Sequence, residues 1–243
     1  MSPAAKRALV TGGSGSLGAA ICRRLAAAGH FVYVHANRRI GEAEALARSI
    51  GEAGGQARAV AFDVTDAGAA RAVLEQILEP GPIQILVNGA GVHDDAAFPG
   101  MSADQWRRVL DVSVNGFYNV TQPLMLPMIR TRWGRVITLS SVTALVGNRG
   151  QVNYAAAKGA LNAATKSLSL EVASRGVTVN AVAPGIISSE MSNSVFDAET
   201  ISSLVPMKRA GTADEVASLI AYLASPDAGY ITGQIISISG GLA

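Results

Sequence analysis

Tyr154 and Lys158 stand four residues apart in the stretch NYAAAKGA, near the start of a run that predicts a helix over 152–174. At that spacing both side chains lie on one helix face. A tyrosine with an ordinary pKa of about 10 is a poor proton donor or acceptor near neutrality. A nearby ammonium favours the phenolate and makes the pair usable for acid–base work. Ser141 ends the preceding apolar run, GRVITLSS, where its hydroxyl can hydrogen-bond a substrate carbonyl. The chemistry these three side chains suit is proton transfer at a carbonyl or an alcohol. A tyrosine and a lysine four apart also describe plain surface packing. The weight comes from their place downstream of a glycine-rich loop.

That loop is TGGSGSLG, Thr11–Gly18, between the apolar residues Ala8–Val10 and a helix with Leu17, Ile21 and Leu25 on one face. A phosphate at such a helix start meets unpaired backbone N–H groups and the positive end of the helix dipole. Gly12, Gly15 and Gly18 let the backbone turn and approach closely, and Ser14, Ser16 and Leu17 complete the loop. Ser16 stands where the commonest loops of this kind carry glycine, but it is small and its hydroxyl can donate to a phosphate. The loop is therefore expected to hold a dinucleotide. The stretch after the second strand, ANRRIGEAEA, contains Asn37, Arg38 and Arg39 and no acid before Glu42. An acid there suits the ribose hydroxyls of NAD, whereas a guanidinium suits a 2′-phosphate. NADP (NADPH) is thus expected over NAD.

These residues need a scaffold that brings strand ends together. Short apolar runs, RALVTG, FVYVHA, ARAVAFDV, IQILVNGAG, GRVITLSS, VTVNAVAPG and IISISGG, alternate with helical stretches. Nearly continuous apolar strands are expected where helices cover both faces of a sheet. The pattern predicts an α/β fold, a doubly wound (Rossmann) parallel sheet of about seven strands in one domain spanning 1–243. Helix starts are marked by the capping-box sequences SADQ (102–105) and TADE (212–215). One long helix is expected over Ala103–Arg130, kinked by Pro123 and Pro127. The serine-rich stretch after Pro184 is long for a connection and leaves a strand's carboxyl end, so a substrate lid is expected at about 186–208.

Composition narrows the class. The chain has 243 residues, 49% of them hydrophobic, and a net charge of +2, too small to argue for nucleic acid. No apolar run is long enough for a membrane span, and the N-terminal stretch does not read as a signal peptide. A cytoplasmic protein is expected. The single cysteine, Cys22, is expected to pack in the first helix, as Trp106 and Trp133 are expected to pack elsewhere. His93, Asp94 and Asp95 are spaced too tightly for the usual metal-ligand patterns. They suit a substrate-side loop, and no metal is expected.

Taken in order, TGGSGSLG, DVTD (63–66), NGAG (88–91), Ser141, YAAAK and the Pro184–Gly185 pair resemble the short-chain dehydrogenases/reductases. The resemblance covers nearly the whole chain. Within that family it is greatest to the bacterial 3-oxoacyl-[acyl-carrier-protein] reductases, through GQVNYAAAKGAL, EVASRGVTVNAVAPG and VPMKRAGTADEVA. The resemblance implies Tyr154 as proton donor, Lys158 tuning it and holding the nicotinamide ribose, and Ser141 orienting the carbonyl. It implies cofactor contacts from Asp63 and Val64 at the adenine, from Asn88, Ala90 and Gly91 along the dinucleotide, and from Pro184, Gly185, Ile187 and Ser189 near the carboxamide. It implies a homotetramer packed through the two long helices, and an acyl carrier protein docked on Arg132 and Arg175, with Arg130 adding to the patch. The chain departs from the family pattern at Ser16, at Gly89 (the second asparagine of N-N-A-G) and at Ser113. Ser113 occupies the place of a catalytic asparagine that helps hold a water, so it joins the catalytic set. The implied activity is NADPH-dependent reduction of a 3-oxoacyl thioester in fatty-acid or polyketide-type synthesis. The alternatives are a dehydrogenase of another small alcohol or ketone, and a non-catalytic dinucleotide-binding protein.

Overall fold

A computed structural model of the chain describes residues 5–188 and 197–243. The strands are β1 (Arg7–Thr11), β2 (Phe31–Ala36), β3 (Gln56–Ala61), β4 (Ile85–Asn88), β5 (Gly134–Leu139), β6 (Val177–Pro184) and β7 (Ile235–Ile238). They form one parallel sheet in the order β3-β2-β1-β4-β5-β6-β7. The reversal of direction around β1 and β4 opens a crevice at the carboxyl ends of the strands, where sheets of this type bind ligands.

The helices are α1 (Ser16–Ala27), α2 (Ile40–Glu52), α3 (Ala67–Leu78), α4 (Ala103–Leu110), α5 (Gly116–Arg130), α6 (Thr143–Val146), α7 (Val152–Val172), α8 (Ala198–Leu204) and α9 (Ala213–Ala224). They cover both faces of the sheet. Val10 and Val34 face Ile21 and Leu25 of α1 and Ile220 and Leu223 of α9. Their strand neighbours Leu9 and Tyr33 face the opposite way, toward Leu74 of α3 and Leu124 and Met128 of α5. Successive residues of one strand thus feed two cores, so the strands read as unbroken apolar runs. Each fully buried leucine or isoleucine in these layers contributes roughly 1.5–3 kcal/mol.

Both expected capping boxes form. The Ser102 and Thr212 side chains accept from the N–H groups of Gln105 and Glu215, whose own side chains reach back to the cap residues. The expected helix over 103–130 is helical throughout but not α-helical throughout. Its α-helical path is interrupted by a π-helical turn at Asp111–Asn115, between α4 and α5. Pro123 and Pro127 lie inside α5, which runs without interruption past both. The wider turn, rather than the prolines, is where the long helix departs from α geometry.

Of the stretch expected as a lid (186–208), residues 189–196 lie outside the described residues. Its described parts include α8 and a bridge between Ile187 and Gly211. No helix among the described residues is long and apolar enough to cross a membrane.

Candidate active site

The first turn of the site is set by steric necessity. Gly12 has φ +67°, and a Cβ there would stand 2.9 Å from the Gly89 carbonyl oxygen. A Cβ on Gly18 would collide with the Gly12 carbonyl. These two glycines let the loop leave β1, press against the end of β4 and start α1 within a few residues. Gly15 is the N-cap residue of α1, no side chain caps that end, and its first turn holds no acid. The helix therefore presents unsatisfied N–H groups and a positive dipole end to whatever lies in front of it.

In front of it lies a cleft of about 960 Å³. Gly12, Ser14, Gly15, Ser16, Leu17 and Gly18 all border it. Ser16 is exposed there. Asn37, Arg38, Asp63 and Val64 border the same cleft, followed by Ala90 and Gly91. Arg39 pairs with Glu42 at 3.1 Å, so Arg38 is the cation of the turn whose charge is felt by Asp63. Asp63 is held below the usual carboxylate range mainly by hydrogen bonds from Thr65, whose N–H and hydroxyl donate at 2.9 and 2.8 Å. The Asn37 amide also donates to it at 3.2 Å.

The other end of the cleft, at Leu139 and Gly91, comes against Lys158 of the proton-transfer group. Ser141 follows β5, and its oxygen accepts from the Thr143 N–H at 3.1 Å and is hydrogen-bonded to the Tyr154 phenol. The Val142 N–H donates to the Pro184 carbonyl at 3.0 Å, tying this turn to the end of β6. Lys158 lies one turn along α7 from Tyr154, with Nζ 5.6 Å from the phenol ring centroid. Its ammonium donates to the Leu139 carbonyl at 2.7 Å. A Cβ on Gly91 would stand 3.3 Å from that ammonium, so the wall of the cleft and the lysine are in contact range.

Burial dominates the electrostatics. It pushes Lys158 down to about 8. It also raises the Tyr154 phenol, against the opposing hydrogen bond from Ser141. The expected lowering of the tyrosine by the lysine is not seen. The ammonium faces a carbonyl rather than the phenol oxygen, and desolvation penalises both charged forms. Burial thus favours the neutral phenol and loosens the lysine's hold on its proton.

Several neighbours of this pair are not evident from sequence. Asn153 is fully buried at the head of α7, and its amide donates to the carbonyls of Asp94 and Gln105 at 2.9 and 3.2 Å. It pins the helix that carries Tyr154 to α4 and to the 94–95 loop. Gln151 donates to Asp95 at 2.8 Å, and Arg108 pairs with Asp94 at 3.2 Å. His93 lies 3.6 Å from Asp95. Among the described residues no His, Cys, Asp and Glu side chains gather into a metal-binding group. His35, Leu139 and Val112 also border the cleft. Only the strand register could have pointed to His35 and Leu139, and no motif marks Val112, which lies in the π-helical turn.

The family model described as short chain dehydrogenase matches residues 6–200. The chain belongs to the short-chain dehydrogenase family. It is an oxidoreductase by that membership. It is 42% identical over 236 residues to the 3-oxoacyl-[acyl-carrier-protein] reductase FabG of Aggregatibacter actinomycetemcomitans, covering 96% of this chain and 98% of that protein. It is 42% identical over 243 residues to nodulation protein G of Rhizobium sp. (strain N33), covering 98% and 97%. It is 40% identical over 240 residues to FabG of Escherichia coli (strain K12), covering 98% and 97%.

Some residues expected in the short-chain dehydrogenase site fall elsewhere. Asn88 is buried and its amide donates to Thr121 at 3.0 Å, so its side chain points between β4 and α5 rather than into the cleft. Gly89 borders the cleft in its place, and a Cβ there would stand 2.7 Å from the Thr11 carbonyl oxygen. Ser113 sits in the π-helical turn, 2% exposed, with no hydrogen-bond partner for its hydroxyl. It lines an internal cavity of about 10 Å³ with Thr11, Asn88 and Leu161, bounded by neither Tyr154 nor Lys158. The Ser113 hydroxyl thus faces a water-sized cavity rather than a side chain of the proton-transfer group. Pro184 ends β6, Gly185 follows it, and Ile187 bridges to Gly211. Ser189 lies outside the described residues.

The arginines expected to flank the active-site mouth do not do so within one chain. Arg130 ends α5, Arg132 precedes β5, and Arg175 precedes β6. They are exposed at the amino edge of the sheet, whereas Ser141 lies past the carboxyl end of β5. The six-residue strand between them spans about 20 Å. Arg132 also has φ +51° and its guanidinium lies 3.5 Å from the Ser174 carbonyl, so it is tied into the turn before β6.

Proposed function

We propose that this chain is an NADPH-dependent reductase of 3-oxoacyl thioesters carried on an acyl carrier protein. One observation carries the reading: Lys158, one turn along α7 from Tyr154, reaches Leu139 and Gly91, which border a dinucleotide-sized cleft. The cleft fits the cofactor because its floor is an uncapped helix start with no acid in the first turn and its far rim carries Arg38.

The glycine loop, Gly12 to Gly18, would hold the pyrophosphate, and Asn37 and Arg38 the 2′-phosphate end. Asp63 and Val64 would flank the adenine, and Gly89, Ala90 and Gly91 the nicotinamide half. Pro184, Gly185 and Ile187 would complete the carboxamide end. The cofactor, when bound, supplies a hydride to the substrate carbonyl carbon. Ser141 holds the carbonyl oxygen, and the Tyr154 phenol delivers a proton to it. Lys158, whose ammonium faces the Leu139 carbonyl one turn along α7, would hold the nicotinamide ribose. The Ser113 hydroxyl takes no direct part in this proposal.

Similarity to reductases whose names specify acyl-carrier-protein substrates supports the substrate class. A cytoplasmic homotetramer is part of the same proposal. Exposed Tyr118 and Leu126 on α5 and Leu170 on α7 support packing through those helices.

The test is turnover of NADPH and NADH with an acetoacetyl thioester, on the carrier protein and as a free short thioester. NADPH should be strongly preferred, and Arg38→Ala should raise KM for NADPH far more than for NADH. Equal use of both cofactors overturns the NADP assignment. Reduction of small ketones without the thioester favours a small-alcohol dehydrogenase, and no turnover of any carbonyl favours a dinucleotide-binding protein.

A further inference from the structure

His35 is the fifth residue of β2, 2% exposed, and it borders the cleft beneath the glycine loop. Both ring nitrogens are engaged. Nε2 lies 2.9 Å from the Phe62 carbonyl oxygen. The Gly12 N–H donates to Nδ1 at 3.1 Å. A carbonyl only accepts and an amide N–H only donates. The two contacts together therefore specify one form, the neutral imidazole with its proton on Nε2. Burial favours the same form and pushes the ring down to about 4. The Phe62 ring, with its centroid 4.1 Å from that of His35, leaves little room for another orientation.

The partner of Nδ1 is the residue on which the loop turns. Gly12 is left-handed at φ +67°, and its Cα faces the Gly89 carbonyl too closely to admit a side chain. Its N–H is turned down to the imidazole, which leaves the later N–H groups, at the start of α1, directed at the cleft. The same β2 strand continues into Asn37 and Arg38. One side chain thus ties the loop proposed to hold the pyrophosphate to the strand end proposed to hold the 2′-phosphate.

We propose that His35 is a positioning residue for the dinucleotide: through its Nδ1 contact with the Gly12 N–H it sets the glycine loop in its binding geometry. The inference rests on the dinucleotide reading above. It predicts that what matters at position 35 is an acceptor at the Nδ1 position. Asparagine places its amide oxygen at about that point, whereas glutamine reaches the Nε2 position and alanine reaches neither.

The experiment is a fluorescence titration of NADPH into the wild type, His35→Asn, His35→Gln and His35→Ala, with thermal unfolding of each. His35→Asn should bind NADPH almost as the wild type does. His35→Gln and His35→Ala should bind about tenfold or more weakly, the loss of one preorganising hydrogen bond. At saturating NADPH, kcat and the KM for the keto substrate should change little. Equal weakening in the asparagine and glutamine variants would mark a merely structural ring and overturn the inference. If the glutamine and alanine variants do not fold, His35→Asn alone decides it, since tenfold weaker binding by a folded His35→Asn overturns the inference. A wild type that binds neither NADPH nor NADH overturns the dinucleotide reading, and the inference with it.

Discussion

Tyr154 keeps its proton at neutral pH because burial penalises the phenolate more than the Ser141 hydrogen bond stabilises it. That proton is what the proposed reaction consumes. Tyr154→Phe retains the ring and removes the proton, so kcat should fall by about 10²–10⁴, the usual contribution of a general acid. NADPH binding should be unchanged, since the phenol is not needed to hold the loop end of the cleft. Steady-state kinetics and a fluorescence titration on the same preparation check both halves, and near-full kcat would remove Tyr154 from its role. The Tyr154 and Lys158 pair was legible in the sequence because a regular α-helix brings residues four apart to one face. Ser113 was not legible in the same way. It lies in a turn wider than α, where counting along the sequence no longer fixes which way a side chain points. His35 carried no motif at all. Its two contacts, to Phe62 and Gly12, come from two other segments brought alongside β2.

The strands and most helices announce themselves by period and by caps, so the alternation of elements and both capping boxes could be read directly. The π-helical turn could not, because the residues around it keep their helical pattern, and the two prolines drew attention to a segment that stays within one α-helix. Gly89 shows the same limit. Against the family pattern it looks like a lost asparagine, whereas in the sheet it is where β4 passes the end of β1 most closely. A side chain there would meet the Thr11 carbonyl at 2.7 Å and Leu139 at 3.1 Å. Gly89→Asn should therefore destabilise the fold by about 1–3 kcal/mol, the usual cost of overpacking. Urea unfolding measures it, and an unchanged midpoint would mean that the two strand ends part without cost.

At the scale of the molecule, the parallel class of the sheet was readable but the placing of charge around it was not. Arg132 and Arg175 lie next to functional elements in sequence and at the opposite edge of the sheet in space. A carrier protein bound there can serve a mouth only across an assembly of copies. Under the proposed homotetramer, Arg132→Glu with Arg175→Glu should lower kcat/KM for a carrier-borne substrate, with the effect shrinking at high salt. Turnover of a free short thioester should hold. Equal loss with both substrates would make the arginines structural. The sheet order has a further consequence, for the time course of synthesis. β1 lies between β2 and β4, and its Thr11 pairs with Asn88, 77 residues later. A nascent chain that has released only β1, β2 and β3 carries an open apolar edge on β1, and the glycine loop lacks the β4 segment it packs against. Such long-range parallel pairing is slow and leaves edges exposed to aggregation. Until β4 has emerged, the first third of this chain is the part most in need of shelter by a chaperone.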